Sequence, residues 1–412
     1  MMRAVSLAAA LAAVLAAAPT AAEPSPTEVT PDQAVALFRS RSPRLAAARA
    51  AIDVAATDVI GARIYPNPTL GVMSSSTVHG VATSGETQTV VTLDVPLLIG
   101  HQRGRRERAA EASTAAIRAG VSADQAAVER EIRSEVIGLQ AAQQRVATLV
   151  AAVDDVQLVR GIVAGRTTAG AASPYDLERM DLAVATMSAQ LDDARTDELS
   201  ASRTLSRTVG VPDWHPRASG DLSPMTPAPS PPGPSSGGVD PGHPMLVSAR
   251  ADEQAARAGE DRARADAVPV PSLLLQSYAT TTPAGIAITG GLSIPLPLFD
   301  RNQGAVARAR ADERRAALEL DAREAELGAD LDRARTELGA RRHALAAFDE
   351  SAVARLDHLR AMAETAYRSG QGGIVELLDA VDAITVARLH HVDLLHAVVD
   401  AELAVRAAST GD

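Results

Sequence analysis

Two stretches of this chain, roughly 200 residues apart, carry the same signals in the same order, so an internal duplication has to be settled before any fold is considered. Ser42-Pro43-Arg44-Leu45, a helical stretch and Pro68-Thr69-Leu70 are matched by His243-Pro244-Met245-Leu246, a helical stretch and Pro271-Ser272-Leu273. Val95-Pro96-Leu97-Leu98 is echoed by Leu296-Pro297-Leu298-Phe299, and Gly170 to Leu177 by Gly370 to Leu377, each ending in an acid and a leucine. Two halves of similar length imply one architectural unit used twice.

Composition says what kind of unit. Aromatics make up only 2% of the 412 residues, too few for an ordinary globular core, while Ala, Arg, Glu, Leu and Val fill the long segments. That balance suits long helices meeting along narrow seams. The net charge of -11 argues against nucleic acid as a partner, because polyphosphate selects basic surfaces. Most charges alternate in sign along the helices, as on solvated helix faces. With no cysteine there is no disulfide, thiol nucleophile, cysteine-held metal or thioether-linked lipid in this sequence.

Residues 1–22 read as a secretory signal: Arg3, an apolar run from Val5 to Ala18, and Thr20-Ala21-Ala22 as a small-residue cleavage site. The apolar run falls short of the roughly 20 residues that span a bilayer, and no other stretch qualifies as a membrane helix. Any membrane entry must therefore be made by strands. Residues 23–211 form the first structural repeat, with a strand pair at about 69–97 and a helical hairpin whose tip lies at about 166–174. A Pro/Gly/Ser-rich linker covers 212–243. The second repeat occupies 244–408, with strands at about 272–298 and a tip at about 368–373.

Thr30 is the expected N-cap of a short helix with Pro31 at its first position, and Tyr65-Pro66-Asn67-Pro68 stops the helix that begins at Pro43. Val91, Leu93, Val95 and Leu97 alternate with mostly polar neighbours, and Ile286, Ile288, Leu292, Ile294, Leu296 and Leu298 repeat the pattern; His79 to Glu86 reads as the turn of the first pair. Such period-two runs fit membrane barrel strands and equally a soluble sandwich. After each pair comes a very long helix, at about 101–166 and 303–368, with seven-residue spacing in Ile132, Leu139, Val146, Val153 and in Leu331, Leu338, Leu345. A shorter helix returns from each. A helix of about 65 residues spans roughly 100 Å, so the economical arrangement stacks the short and medium helices end to end beside each long one. The linker then sits at mid-height, the strands at one extremity and the turns at the other.

Four strands are too few to close a barrel, and open edges are intolerable in lipid. Three copies giving about twelve strands is the preferred solution, and two copies giving about eight the alternative.

This order of elements, with Pro-x-Leu before each strand pair, Pro-Leu-x after it and glycine turns between heptad helices, resembles the outer-membrane efflux protein (TolC) family over essentially the whole mature chain. Ser293 to Gly304 looks most like the branch serving cobalt–zinc–cadmium-type pumps. The resemblance implies a mainly α fold with membrane β: a duplicated unit, a trimeric 12-stranded barrel in outer-membrane lipid and a helical tunnel across the periplasm. It implies a passive exit duct for heavy-metal cations or small toxic molecules. Its partners would be a periplasmic adaptor (membrane fusion) protein and an inner-membrane transporter of the RND type. An exit duct for secreted proteins or peptides, and a soluble periplasmic scaffold, are the alternatives. Many relatives carry a lipidated N-terminal cysteine that this chain lacks, and the aromatic girdle is thin, with Tyr65, Tyr278 and Phe299 as its candidates.

No enzyme site and no cofactor site emerges. The nine histidines are scattered; His390, His391 and His396 are the nearest group, without i,i+4 ligand spacing. The resemblance places a periplasmic gate at Tyr367, Glu376, Asp379 and Asp176, where carboxylates gathered around an axis would attract cations. Acids at a helix start also serve its dipole, the plainer reading of the same residues. The arginine that clamps this gate in some relatives corresponds to Gly372, leaving Arg368 as a substitute. The tips at Gly170, Ser173, Gly370 and Gly373 would meet the adaptor, although helix-ending glycine explains Gly170 and Gly370 without a partner.

Overall fold

The protein's structure, a computed structural model, describes residues 26–76, 87–224, 238–281 and 284–411. The signal reading of 1–22, the whole of the 79–86 turn and part of the 212–243 linker lie outside the described residues. In chain order the elements are β1 (Glu28–Val29), α1 (Pro31–Arg41), α2 (Pro43–Arg63), β2 (Thr69–Ser76), β3 (Thr87–Pro96), α3 (Gln102–Thr168), α4 (Pro174–Val209) and β4 (Arg217–Ala218). The second half supplies α5 (Pro244–Asp266), β5 (Ser272–Thr281), β6 (Ala284–Ser293), α6 (Gln303–Ser351), α7 (Leu356–Arg368) and α8 (Ile374–Ser409).

Proline sets the start of four of these helices, where its missing N–H costs nothing and its fixed φ favours the first turn. Thr30 and Gln33 make a reciprocal capping box on α1, and the Ser42 hydroxyl accepts from Leu45 N. Helix α2 and then α4 lie along α3, while α5 and α8 lie along α6. The joint between stacked helices is the same in both repeats. The returning helix ends on a left-handed glycine, Gly210 (φ 88°) or Gly411 (φ 85°), which abuts the proline opening the other helix. A Cβ on Gly210 would stand 2.9 Å from Pro43 Cδ, and one on Gly411 would come closer still to Pro244.

Helix α3 runs unbroken for 67 residues, about 100 Å. It buries Ile132, Leu139, Leu149, Val153, Val156 and Val163 against Met180, Met187 and Leu191 of α4 at its lower part and against the α1 core higher up. The second long helix is not continuous as expected. Helix α6 stops after 49 residues, a 3-10 turn spans Val353–Arg355, and α7 adds 13 more. No proline or glycine marks the break. Ser351 Oγ donates to Ala347 O at 2.6 Å, and the next residue, Ala352, has dihedrals far from the ideal helix (φ −114°, ψ −62°) while its N–H still donates to Phe348 O at 2.8 Å.

At mid-height, Phe38, Ile132, Leu139, Leu205 and Trp214 form a buried core under the parallel β1–β4 pair, and Trp214 Nε1 donates to Pro26 O at 2.7 Å. Arg39 clamps Glu129 with two bonds of 2.6 Å.

At the other extremity β2, β3, β5 and β6 form one antiparallel sheet in that order. The register aligns Leu70, Leu93 and Leu275, and Val72, Val91, Ser277 and Ile288, on one apolar face. Gly71, Thr92, Gln276 and Thr289 line up on the opposite face, where Gln276 Nε2 donates to Thr92 Oγ1 and Tyr278 Oη to Gln276 Oε1. Tyr278 therefore belongs to the polar face and not to an aromatic girdle. No described helix is long and apolar enough to cross a membrane.

Candidate gate at the helical tips

Both hairpins turn at their tips through the same backbone device. Gly170 (φ 69°) and Gly370 (φ 75°) take the left-handed conformation that ends a helix. Ala171 N then donates back to Arg166 O and Gln371 N to Ala366 O, which consumes carbonyls the helix leaves unpaired. The next helix starts at once. Ser173 Oγ accepts from Asp176 N at 3.2 Å while Asp176 Oδ2 accepts from Ser173 N at 3.1 Å. Glu376 Oε2 accepts from Gly373 N at 2.9 Å. One carboxylate oxygen of both Asp176 and Glu376 is thus engaged in starting a helix. The glycines and Ser173 have the same helix-end explanation.

Along α8 the outward face carries Glu376, Asp379 and Asp382 at intervals of three, followed by exposed Val386. Asp382 extends the acidic row one turn beyond the expected pair. Its type and spacing made it visible in the sequence.

Tyr367, the expected gate tyrosine, closes α7 and is only 5% exposed. Arg166, the last basic residue of α3, covers it: the guanidinium lies 4.8 Å from the ring centroid, and Nη1 donates to Tyr367 O at 2.6 Å. A charged donor to a carbonyl and a cation over an aromatic face act together here. Burial raises the Tyr367 phenol above its ordinary value, the charge of Arg166 opposes that, and Asp176 reinforces it. Tyr367 Oη has no hydrogen-bond partner among the described residues. Arg368, the expected substitute for the arginine missing at Gly372, reaches Glu364 of its own helix at 3.9 Å. The tie between the two tips is made by Arg166, which sequence reasoning missed because its partner lies 201 positions away.

Further ties join α3 to the second hairpin above the tip. Arg360 bonds Asp155 at 2.6 Å, Arg145 bonds Asp393 at 2.5 Å, and Ser134 bonds Asp400 at 3.0 Å. His390 meets Phe348 edge-on at 5.0 Å and His391 lies 2.9 Å from Asp349, so two of the grouped histidines serve the α6–α8 contact. Among the described residues no three His, Asp or Glu side chains are placed to hold a metal ion.

A family model described as outer membrane efflux protein matches residues 34–211 and 242–411. The cobalt-zinc-cadmium resistance protein CzcC of Cupriavidus metallidurans is 26% identical over 378 residues, covering 89% of this chain and 86% of that protein. Among solved structures, CusC superposes with a TM-score of 0.76 at 16% identity, over 93% of this chain and 92% of its own. The outer-membrane channel OprN does so at 0.74 and 20%, over 93% and 90%. The open state of the Neisseria gonorrhoeae MtrE channel gives 0.73 and 14%, over 92% and 88%.

Proposed function

The chain belongs to the outer membrane efflux protein family and is an outer-membrane channel of that kind, and from this premise we propose that three copies form one passive exit duct. Their sheets close a barrel of about twelve strands, and their hairpins continue it as a tunnel across the periplasm. One observation carries this reading: a four-stranded sheet, apolar on one face, with both edge strands unpaired, at the far end of two coiled hairpins. Such edges are stable in lipid only when other copies pair with them.

Cargo enters from an inner-membrane transporter of the RND type through a periplasmic adaptor that docks at Gly170, Ser173, Gly370 and Gly373. Divalent metal cations are the favoured cargo. Two things support them: the relative named for cobalt, zinc and cadmium resistance, and the row Glu376, Asp379 and Asp382, which three copies would bring around one axis. Asp176 and Tyr367 complete the gate, with Arg166 holding Tyr367 in place.

Planar-bilayer recording of the purified protein tests this. Wild type is expected to prefer cations and to be blocked by divalent ions. The double variant Glu376→Gln/Asp379→Asn should lose most of that preference, since the glutamine keeps the cap acceptor while the charge is gone. Unchanged selectivity removes the acidic row from the gate. A chain recovered as a water-soluble periplasmic monomer overturns the duct itself.

A further inference from the structure

The membrane end of the chain carries a single charge. Among the described residues of β2, β3, β5 and β6, Asp94 is the one acidic or basic side chain. It stands level with Thr69 on β2 and Leu274 on β5, and Leu274 is level with Gly291 on β6. Side chains alternate along a strand, so Asp94 shares the face of Thr92, Gln276 and Tyr278 and turns away from Leu70, Leu93 and Leu275. The leucine face is the one that lipid can cover. The Asp94 face is then the one that meets water inside a barrel, where side chains tune selectivity.

Nothing in the chain neutralises this carboxylate. It makes no hydrogen bond or ion pair among the described residues. The arginines that flank the sheet are committed elsewhere: Arg63 to Glu107 and Glu111, Arg105 to Asp261, and Arg106 to Asp266. Arg103 lies over the Tyr65 ring and Arg301 Nε donates to Pro297 O. The second repeat has no copy of the charge. Val95-Pro96 corresponds to Leu296-Pro297, so the counterpart of Asp94 is Pro295, beyond the end of β6 at Ser293. On the same face the edge strands present small residues, Thr69 and Gly71 on β2, Thr289 and Gly291 on β6, which leave room for hydrated ions.

Resting on the trimer reading above, we propose that Asp94 sets charge preference in the barrel: three copies place three carboxylates in a ring where barrel and tunnel meet. Helix α3 separates this ring from the tip acids by about 100 Å. About twelve strands, roughly 4.8 Å apart and tilted near 40°, make a wall of roughly 12 Å radius, which puts the carboxylates roughly 9 Å from the axis. Three unit charges at that distance in water enrich a monovalent cation on the axis about 2- to 3-fold in 0.1 M salt and about 5-fold in 10 mM. A divalent cation is enriched by the square of those factors. The tip acids act in a constriction that opens and closes, whereas this ring acts in a wide section whatever the state of the tips.

The experiment separates the two rings. In the Glu376→Gln/Asp379→Asn background, reversal potentials under a salt gradient read the preference that remains without the tip charges. Adding Asp94→Asn, which keeps shape and removes charge, should lower the cation-to-anion permeability ratio several-fold near about 10 mM KCl and hardly at all near about 1 M, where screening erases the ring. An equal ratio at low salt, in channels that still conduct, overturns the proposal and leaves the duct standing. The chain contains no cysteine, so a substituted thiol reports its own surroundings. A cationic, water-soluble methanethiosulfonate should lower the conductance of Asp94→Cys in up to three steps, one per subunit, and leave Val91→Cys on the opposite face unchanged. Steps with Val91→Cys and none with Asp94→Cys overturn the proposal by inverting the faces. Protein that forms no channel in any background overturns the duct and this ring with it.

Discussion

The first repeat is packed where the second is open, and rigid where the second is interrupted. Helix α3 carries its own partners α2 and α4, receives α5, and is bonded through Asp155, Arg145 and Arg166 to the second hairpin, so it is the spine of the chain. The corresponding stretch of the second repeat, α6 through α7, has nearly the same length of sequence but fewer buried positions, an outward Leu318 and a break at Ala352. Duplication supplies two equal units; assembly makes them unequal. The half with its neighbours inside the chain shows what the other half lacks within it.

The stacked-helix joint is where the halves are most alike, and breaking it should cost most. Gly210→Ala places a side chain at φ 88° and against Pro43, and Gly411→Ala does the same against Pro244. Each should destabilise by about 2–3 kcal/mol, combining left-handed strain with a steric clash. Thermal unfolding checks it. Gly170→Ala has the same backbone conformation with open space around the missing Cβ, so it isolates the strain and should cost about 1 kcal/mol. Equal losses at Gly210 and Gly170 would show that the contact with proline contributes nothing.

A middle-sized effect is expected where the halves touch at the tips. Arg166→Ala removes a charged hydrogen bond and a cation–π contact from Tyr367, together about 1–2 kcal/mol, which corresponds to roughly a 5- to 30-fold shift in any open–closed equilibrium they bias. Bilayer conductance at rest should rise accordingly. Arg166→Lys, a point charge without the planar fork, should recover only part of the wild-type closure. The same readout on Arg368→Ala should stay near wild type, since among the described residues Arg368 reaches only Glu364, the acid of its own helix turn.

These contrasts also show which features were legible in the sequence. Helix starts at Pro31, Pro43 and Pro244 and turns at Gly170 and Gly370 were readable because each effect is local to a few residues. The repeat was readable because these signals recur in order. The polar placement of Tyr278 was not: Leu273, Leu274 and Leu275 are alike, so the alternation along β5 has no visible phase until pairing with β3 sets it. The Arg166–Tyr367 tie was hidden for a different reason, since only tertiary packing brings the ends of α3 and α7 together. At the start of α8, Glu376 and Asp379 were singled out by type and spacing, yet the same letters at a helix start describe a cap, and the geometry gives Glu376 that duty.

The break in the second long helix should yield the smallest and most diagnostic effect. Ser351 Oγ bonds the Ala347 carbonyl just before the turn at Ala352, whereas α3 stays unbroken although Ser122 and Thr148 make the same bond to the residue four before them. Ser351→Ala removes that competitor and replaces it with the best helix former, so α6 and α7 should tend to join, with a gain of a few tenths of a kcal/mol, on the order of 0.5. The readout is amide hydrogen exchange over residues 352–356, which should slow several-fold, with little change in α3. Slower exchange would make the serine the cause of the asymmetry between the long helices. Unchanged exchange would place the cause in the packing of α8 on the turn, where Phe348 meets His390 and Asp349 faces His391, and the variant to make would then be Phe348→Ala.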